Sequence, residues 1–230
     1  ALSIYQFAKE GTVFTHAYAT TASCSASRSV ILTGLHNHAN AHYGHQHSYH
    51  HFSSYDWVKS LPVLLGKAGY RTARVGKYHV APEEVYKFDH AFPGNSRDVV
   101  TMTDNSRAFI EEDSEKPFFL YICTSDPHRG GGVATEIPHH PDRFGNLPKG
   151  DYKGINTIAY SPDDVIVPPF LPDTPACRAE LAQYYQAVSR IDQGFGYLLS
   201  TLKKAGVYEN KLILLISDHG IAMPGGKTNV

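Results

Sequence analysis

The sequence predicts an α/β fold, a large, mostly parallel mixed sheet flanked by helices. Short apolar or β-branched runs at 12–17, 71–75, 118–123 and 212–216 read as strands, set among longer segments of helical character. Each run leads into a polar, chemistry-bearing cluster. The first leads to Cys24 at a helix start, and the second to Gly76-Lys77-Tyr78-His79. The third leads to Asp126-Pro127-His128-Arg129, and the fourth to Ser217-Asp218-His219-Gly220. Ligands of open α/β sheets bind beyond the carboxyl ends of the strands, so these clusters are the candidate site.

A chain of 230 residues is the length of one domain, at most two. The formal net charge of −1 argues against a nucleic-acid or membrane-surface binder, so any anion site must be local. No apolar run reaches the roughly 18 residues of a membrane span. The chain opens at Ala1 without Met and without a targeting signal, and reads as processed or partial. Its three cysteines do not suggest a disulfide framework, and no Asn-x-Ser/Thr acceptor occurs. Fourteen histidines ask for an explanation, because His is a common metal ligand and proton carrier.

In chain order, residues 1–10 form a helix with Leu2, Tyr5, Phe7 and Ala8 on one stripe, stopped by Gly11. The small, polar run Thr20-Thr21-Ala22-Ser23 precedes Cys24, and Ser29-Val30-Ile31-Leu32 supplies a face that a helix can bury. Cys24 therefore falls at a first helical turn, where unpaired N–H groups and the dipole favour negative charge. An anion is welcome there and a thiol is acidified. Arg28 lies one turn on, on the same face.

The stretch from His36 to His51 carries seven histidines and little periodicity. A polar loop explains most of them, and His51 is the one assigned to a substrate pocket. Ser60 caps a helix with Pro62 in its first turn, and Gly69 ends it. Residues 98–112 read as helix. The continuous apolar run 118–123 reads as a buried strand. The Pro- and Gly-rich stretch 130–175 reads as a long ordered loop anchored by Ile155, Ile158, Tyr160, Val165, Ile166 and Val167, the kind of loop that walls a pocket. From Thr174-Pro175 a long helix runs to about Lys204, closed by Gly206. The Asp218-His219 pair offers ligands for a divalent cation.

The segment Cys24-Ser25-Ala26-Ser27-Arg28 with Leu32-Thr33-Gly34 resembles the sulfatase signature, Cys-x-Pro-Ser-Arg followed by Leu-Thr-Gly. Ala26 stands where most relatives have Pro. The resemblance implies an alkaline-phosphatase-like sulfatase core and a Cys24 oxidised to formylglycine, whose hydrate attacks sulfur. It implies a catalytic set of Cys24, Arg28, Lys77, His79, His128 and Lys227. It also implies substrate contacts from Asp126 and Arg129, and a calcium ion held by Asp218, His219 and the residue-24 side chain. The implied partners are a sulfated saccharide and a formylglycine-generating enzyme, with no nucleic acid and no membrane. A homodimer and a secreted, lysosome-like or periplasmic compartment go with that reading.

Further stretches are similar to the heparan N-sulfatase branch of the family: His50-His51-Phe52, Val85-Tyr86-Lys87-Phe88-Asp89, Pro172-Asp173-Thr174-Pro175-Ala176 and Gly225-Gly226-Lys227-Thr228-Asn229. That likeness implies cleavage of an N-sulfate from glucosamine. Lys227 stands where that branch has Arg and many O-sulfatases have Lys, which makes an O-sulfatase the alternative. A phosphonate or phosphodiester hydrolase of the same superfamily, or an inactive module that binds sulfated glycan, are the others. The Asp-Asp strand with which relatives begin has no counterpart before Leu2. The chain is therefore expected to be a single catalytic domain, residues 1–230, lacking that strand and its C-terminal part.

Overall fold

The computed structural model describes residues 2–227. Its helices are α1 (Leu2–Glu10), α2 (Cys24–Thr33), α3 (Asn37–Asn40), α4 (Leu61–Lys67), α5 (Val99–Glu111) and α6 (Pro175–Lys204); its strands are β1 (Arg71–Gly76), β2 (His90–Phe92) and β3 (Phe118–Cys123). They belong to two compact units. One comprises the chain up to Val13, Gly94–Arg107 and Thr124–Lys211. The other comprises Phe14–Pro93, Ala108–Cys123 and the chain from Leu212 onward.

The second unit is built on a parallel sheet of order β2-β1-β3. β1 and β3 run in register from Arg71 opposite Phe118 to Gly76 opposite Cys123. The Lys77 N–H extends the ladder by donating to Cys123 O at 2.8 Å. Thr72 fixes the approach to β2, its N–H and hydroxyl both donating to Asp89 Oδ2 at 3.0 Å. Leu32 of α2 packs in a buried cluster with Val58, Val80, Val85, Tyr86 and Phe88, and Phe119 and Tyr121 of β3 lie against it. Burial of such apolar side chains stabilises the unit by roughly 1.5–3 kcal/mol each. Tyr86 is fully buried with its hydroxyl bonded to Ser54 Oγ at 2.5 Å, so its polar end is satisfied. α2 stops at Gly34, whose φ of 67° lets its N–H turn back to Val30 O at 2.8 Å. Ser60 holds the N-cap position of α4, but its hydroxyl donates to Val85 O at 2.6 Å instead of capping the helix.

The sheet is smaller than the sequence suggests. Residues 12–17 and 212–216 pair with no strand among the described residues. Phe14, Leu212 and Leu214 are exposed. A strand exists only through its ladder, so an apolar run without a paired neighbour stays irregular.

In the first unit α6 is the organising element. Thr174 Oγ1 accepts from the Cys177 N–H at 3.2 Å, Pro175 opens the helix, and Gly206 follows its end with φ 70°. α1 packs on it through an edge-to-face pair of Phe7 and Phe195, 5.2 Å between centroids. The first-turn N–H groups of Leu2, Ser3 and Ile4 donate to the Asp192 carboxylate at 2.8, 3.2 and 2.8 Å. Asp192 thus caps a helix from across the fold. Gly194 admits α5, since a Cβ there would lie 2.5 Å from Val99 Cβ. The long loop is ordered as expected, with Ile155 and Val165 buried. Ile158 and Ile166 are exposed, and Ala134, Phe144 and Leu171 are the further apolar anchors.

Candidate active site

The site is built on the first turn of α2. Cys24 is its first residue and is buried; Ser23 before it has an extended backbone and makes no side-chain cap bond. Cys24 Sγ lies 3.2 Å from His219 Nε2. One turn on, Ser27 Oγ donates to the backbone O of Asp218, and Arg28 NH2 donates to Asp218 Oδ2 at 3.2 Å. Arg28 NH1 reaches Lys77 O at 3.1 Å. The Ser27-Arg28 half of the motif thus clamps the Asp218-His219 segment and the end of β1 onto the helix that carries Cys24. The segment beyond Asp218 folds back on itself so tightly that a Cβ on Gly220 would collide with Gly226 O.

Charge is held firmly here. Burial opposes the Arg28 charge, but Cys123, Tyr121 and the Asp218 carboxylate outweigh it and lift the guanidinium above its ordinary pKa. His219 is also raised. Its bond to Cys24 is the main cause, burial works against it, and Asp218 adds to it.

One donor atom from each of Cys24, Asp218 and His219 falls within 4.8 Å of the others. Calcium takes six to eight oxygen ligands, as a rule. Asp218 suits it, whereas an imidazole and a thiol suit softer ions. Of the three, only the Asp218 carboxylate offers the oxygen that calcium takes.

The loop after α2 is tied to that helix. Asn37 Nδ2 donates to Ala26 O at 2.9 Å, Asn40 Nδ2 to Ser29 Oγ at 3.1 Å, and the Gln46 N–H to Ser25 Oγ at 3.2 Å. This tether stacks His45 and His47 on His79, with ring centroids 5.3 and 4.7 Å away. His79 has a φ of 61°, a conformation a non-glycine residue keeps only where its surroundings hold it. Burial, followed by the neighbouring His79, lowers the pKa of His45. His45 and His47 were not singled out by the sequence. Their only signal is a His-x-His in the loop that follows α2.

The structure therefore brings Cys24, Arg28, Asp218 and His219 together. Lys77 joins them through its carbonyl, and His79 joins the histidine stack. His51 is exposed, with φ 43°, and has no place in that stack. Lys227 is half-buried, and its ammonium makes no hydrogen bond or ion pair among the described residues.

Asp126, His128 and Arg129 belong to the other unit. The Asp126 side chain is 1% exposed and accepts from Arg97 NH1 and Arg190 Nε, both at 2.6 Å. Both carboxylate oxygens are thus engaged by arginines. Arg129 pairs with Glu180 at 3.0 Å, and His128 Nδ1 lies 2.7 Å from Arg129 O.

The chain matches the sulfatase family model over residues 3–229. It is 42% identical to human N-sulphoglucosamine sulphohydrolase, over 97% of this chain and 46% of that protein. It is 28% identical to a Caenorhabditis elegans protein described as an extracellular sulfatase Sulf-1 homolog, over 94% of this chain and 35% of that one. A solved structure from a glycosaminoglycan-metabolising locus of Bacteroides thetaiotaomicron superposes with a TM-score of 0.66 at 16% identity, covering 90% of this chain and 51% of that one. The chain spans less than half the length of these two curated relatives.

Proposed function

The chain belongs to the sulfatase family, whose fold is alkaline-phosphatase-like, and from that premise we propose that it carries the nucleophile half of a sulfamate or sulfate ester hydrolase. Its preferred substrate is an N-sulfated glucosamine at the end of a heparan-type glycan. Sulfatases generally use formylglycine and calcium. The observation that carries this reading is the buried Cys24 at the start of α2, 3.2 Å from His219 Nε2 and one turn from the buried Arg28. The 42% identity to an N-sulphoglucosamine sulphohydrolase supports the substrate class. A family match running from residue 3 to residue 229 supports reading residues 1–230 as one catalytic domain.

Formylglycine made from Cys24 supplies a hydrated aldehyde as nucleophile at this position. The N-terminal turn of α2 binds the anionic sulfur group through backbone N–H groups and the helix dipole. Arg28 keeps Asp218 and His219 in place, and His219 Nε2 holds a proton beside the residue-24 side chain. Lys77 and Lys227 provide positive charge toward the sulfate, and His79 and His128 carry protons to and from the hydroxyl and the leaving amine. Asp126, Arg129 and His51 are assigned to the sugar. Calcium would be held in part by the Asp218 carboxylate, with His219 and the residue-24 side chain as neighbouring members of the shell. The partners are the sulfated saccharide and the enzyme that oxidises Cys24, and the protein acts as a homodimer in a secretory, lysosome-like or periplasmic compartment. Among the described residues no helix is long and apolar enough to cross a membrane.

The test pairs two measurements. Mass spectrometry of the peptide containing Cys24 is expected to show a loss of about 18 Da, the change from thiol to aldehyde. Hydrolysis of N-sulfoglucosamine is then compared with that of an aryl sulfate and a phosphodiester. A preference for the aryl sulfate moves the assignment to an O-sulfatase, the reading Lys227 favours. Release of neither sulfate nor phosphate by the oxidised protein refutes the hydrolase.

A further inference from the structure

The histidine stack is a second cluster of ligand atoms, separate from the Cys24, Asp218 and His219 group. The rings of His45, His47 and His79 form a triangle with centroids 5.1, 5.3 and 4.7 Å apart and planes within 7–13° of parallel. One ring nitrogen of each lies within 4.8 Å of the other two. Both nitrogens of His79 and Nδ1 of His45 are buried and without a hydrogen-bond partner. Buried polar atoms are almost always paired, so three orphaned nitrogens in one stack point to a missing partner. The other two rings carry the outer bonds that metal-binding imidazoles usually have. His47 Nδ1 bonds Ser48 Oγ at 2.9 Å, and His45 Nε2 makes a long 3.5 Å contact with Ser23 Oγ.

We propose that His45, His47 and His79 form a binding site for a borderline divalent transition metal of the zinc type. Three neutral imidazoles suit such an ion and leave its fourth position to water; an oxygen-seeking ion such as calcium does not fit them. Zinc–nitrogen bonds of 2.0–2.1 Å put tetrahedral ligand atoms about 3.3 Å apart. The stack therefore closes by at most about 1.5 Å to grip the ion, and the exposed His47 is the residue free to move. Occupancy withdraws His79 from proton transfer. This consequence, unlike the site itself, rests on the hydrolase reading: the ion is then a reversible brake on turnover.

The test uses the full chain with cobalt(II) and zinc(II) alone. Cobalt is expected to bind with visible d–d bands and no thiolate-to-cobalt charge-transfer band, and the spectrum is expected to survive Cys24→Ala. Zinc titration by calorimetry is expected to give one site, weakened at least about tenfold in His47→Gln and again in His45→Gln. Because His47 is exposed, its variant keeps the far-ultraviolet circular dichroism of the parent. Absence of binding at millimolar cobalt overturns the proposal. So does a charge-transfer band that disappears with Cys24→Ala, which assigns the ion to the Asp218-His219 group. So does unchanged zinc affinity in His47→Gln. None of these readouts depends on turnover, so failure of the metal site and failure of the hydrolase reading are told apart.

Discussion

The buried Arg28 guanidinium donates to Asp218 Oδ2 at 3.2 Å and, through its other terminal nitrogen, to Lys77 O at 3.1 Å. One side chain of α2 thus joins the end of β1 to a segment far from it in sequence. Removing one partner of a buried pair leaves the other charge uncompensated. Arg28→Gln is expected to lower stability in urea by about 3 kcal/mol and to speed proteolysis near Asp218. Unchanged stability and cleavage would show that the pair does not hold this segment.

Cys24→Ala is expected to lower hydrolysis of N-sulfoglucosamine by at least about a thousandfold, the scale of losing an essential nucleophile. Its melting temperature is expected to stay within a few degrees of the parent, since the loss is one buried sulfur atom. Appreciable residual turnover in this variant sinks the assignment of Cys24 as nucleophile.

Asp126 separates a structural from a sugar-binding role. Its carboxylate is buried between Arg97 and Arg190. Asp126→Asn is expected to cost about 3 kcal/mol in urea unfolding. A rise in KM with no loss of stability would instead make it a sugar ligand.

His42 gives an acid-dependent signature. It is fully buried, and burial first, then the nearby His79 and His45, lower its pKa from 6.5 to about 4. Between those values the unfolded chain binds the proton and the folded one does not, so stability falls as pH drops through that window and is unaffected above it. In EDTA, the parent is expected to lose about 2–3 kcal/mol more than His42→Met between pH 7 and pH 4.5. Equal losses in the two proteins would mean that His42 takes up its proton without opening the fold.

The legible parts of the chain are those whose signals are local. The continuous apolar run of β3, the Thr174 cap and Pro175 of α6, and the start of α2 at Cys24 all lie where the sequence puts them. The run 212–216 has the same local signal as β3 but no paired neighbour among the described residues, and a ladder cannot be read from one strand. At the site, the resemblance anticipates Asp218 and His219 beside Cys24. It does not anticipate His45 and His47 on His79, because their approach depends on Asn37, Asn40 and Gln46 tying a loop to α2. That is a tertiary arrangement with no periodicity to announce it. The engagement of Asp126 is not legible for a related reason. Its neighbours Arg97 and Arg190 are remote in sequence, so a strand-end acid looked available when both of its oxygens were taken.

The capping of Leu2, Ser3 and Ile4 by Asp192 sets an order of events during synthesis. The amides are made 188–190 residues before their acceptor. At roughly 5–20 residues per second, the ribosome needs on the order of 10–40 s to cover the distance between them. Throughout that interval the N-terminal helix has neither its cap nor the Phe195 surface it packs on. A nine-residue segment is too short to persist as a helix alone in water. Residues 2–10 therefore leave the ribosome well before they can settle, and they stand open to chaperones and proteases until α6 emerges.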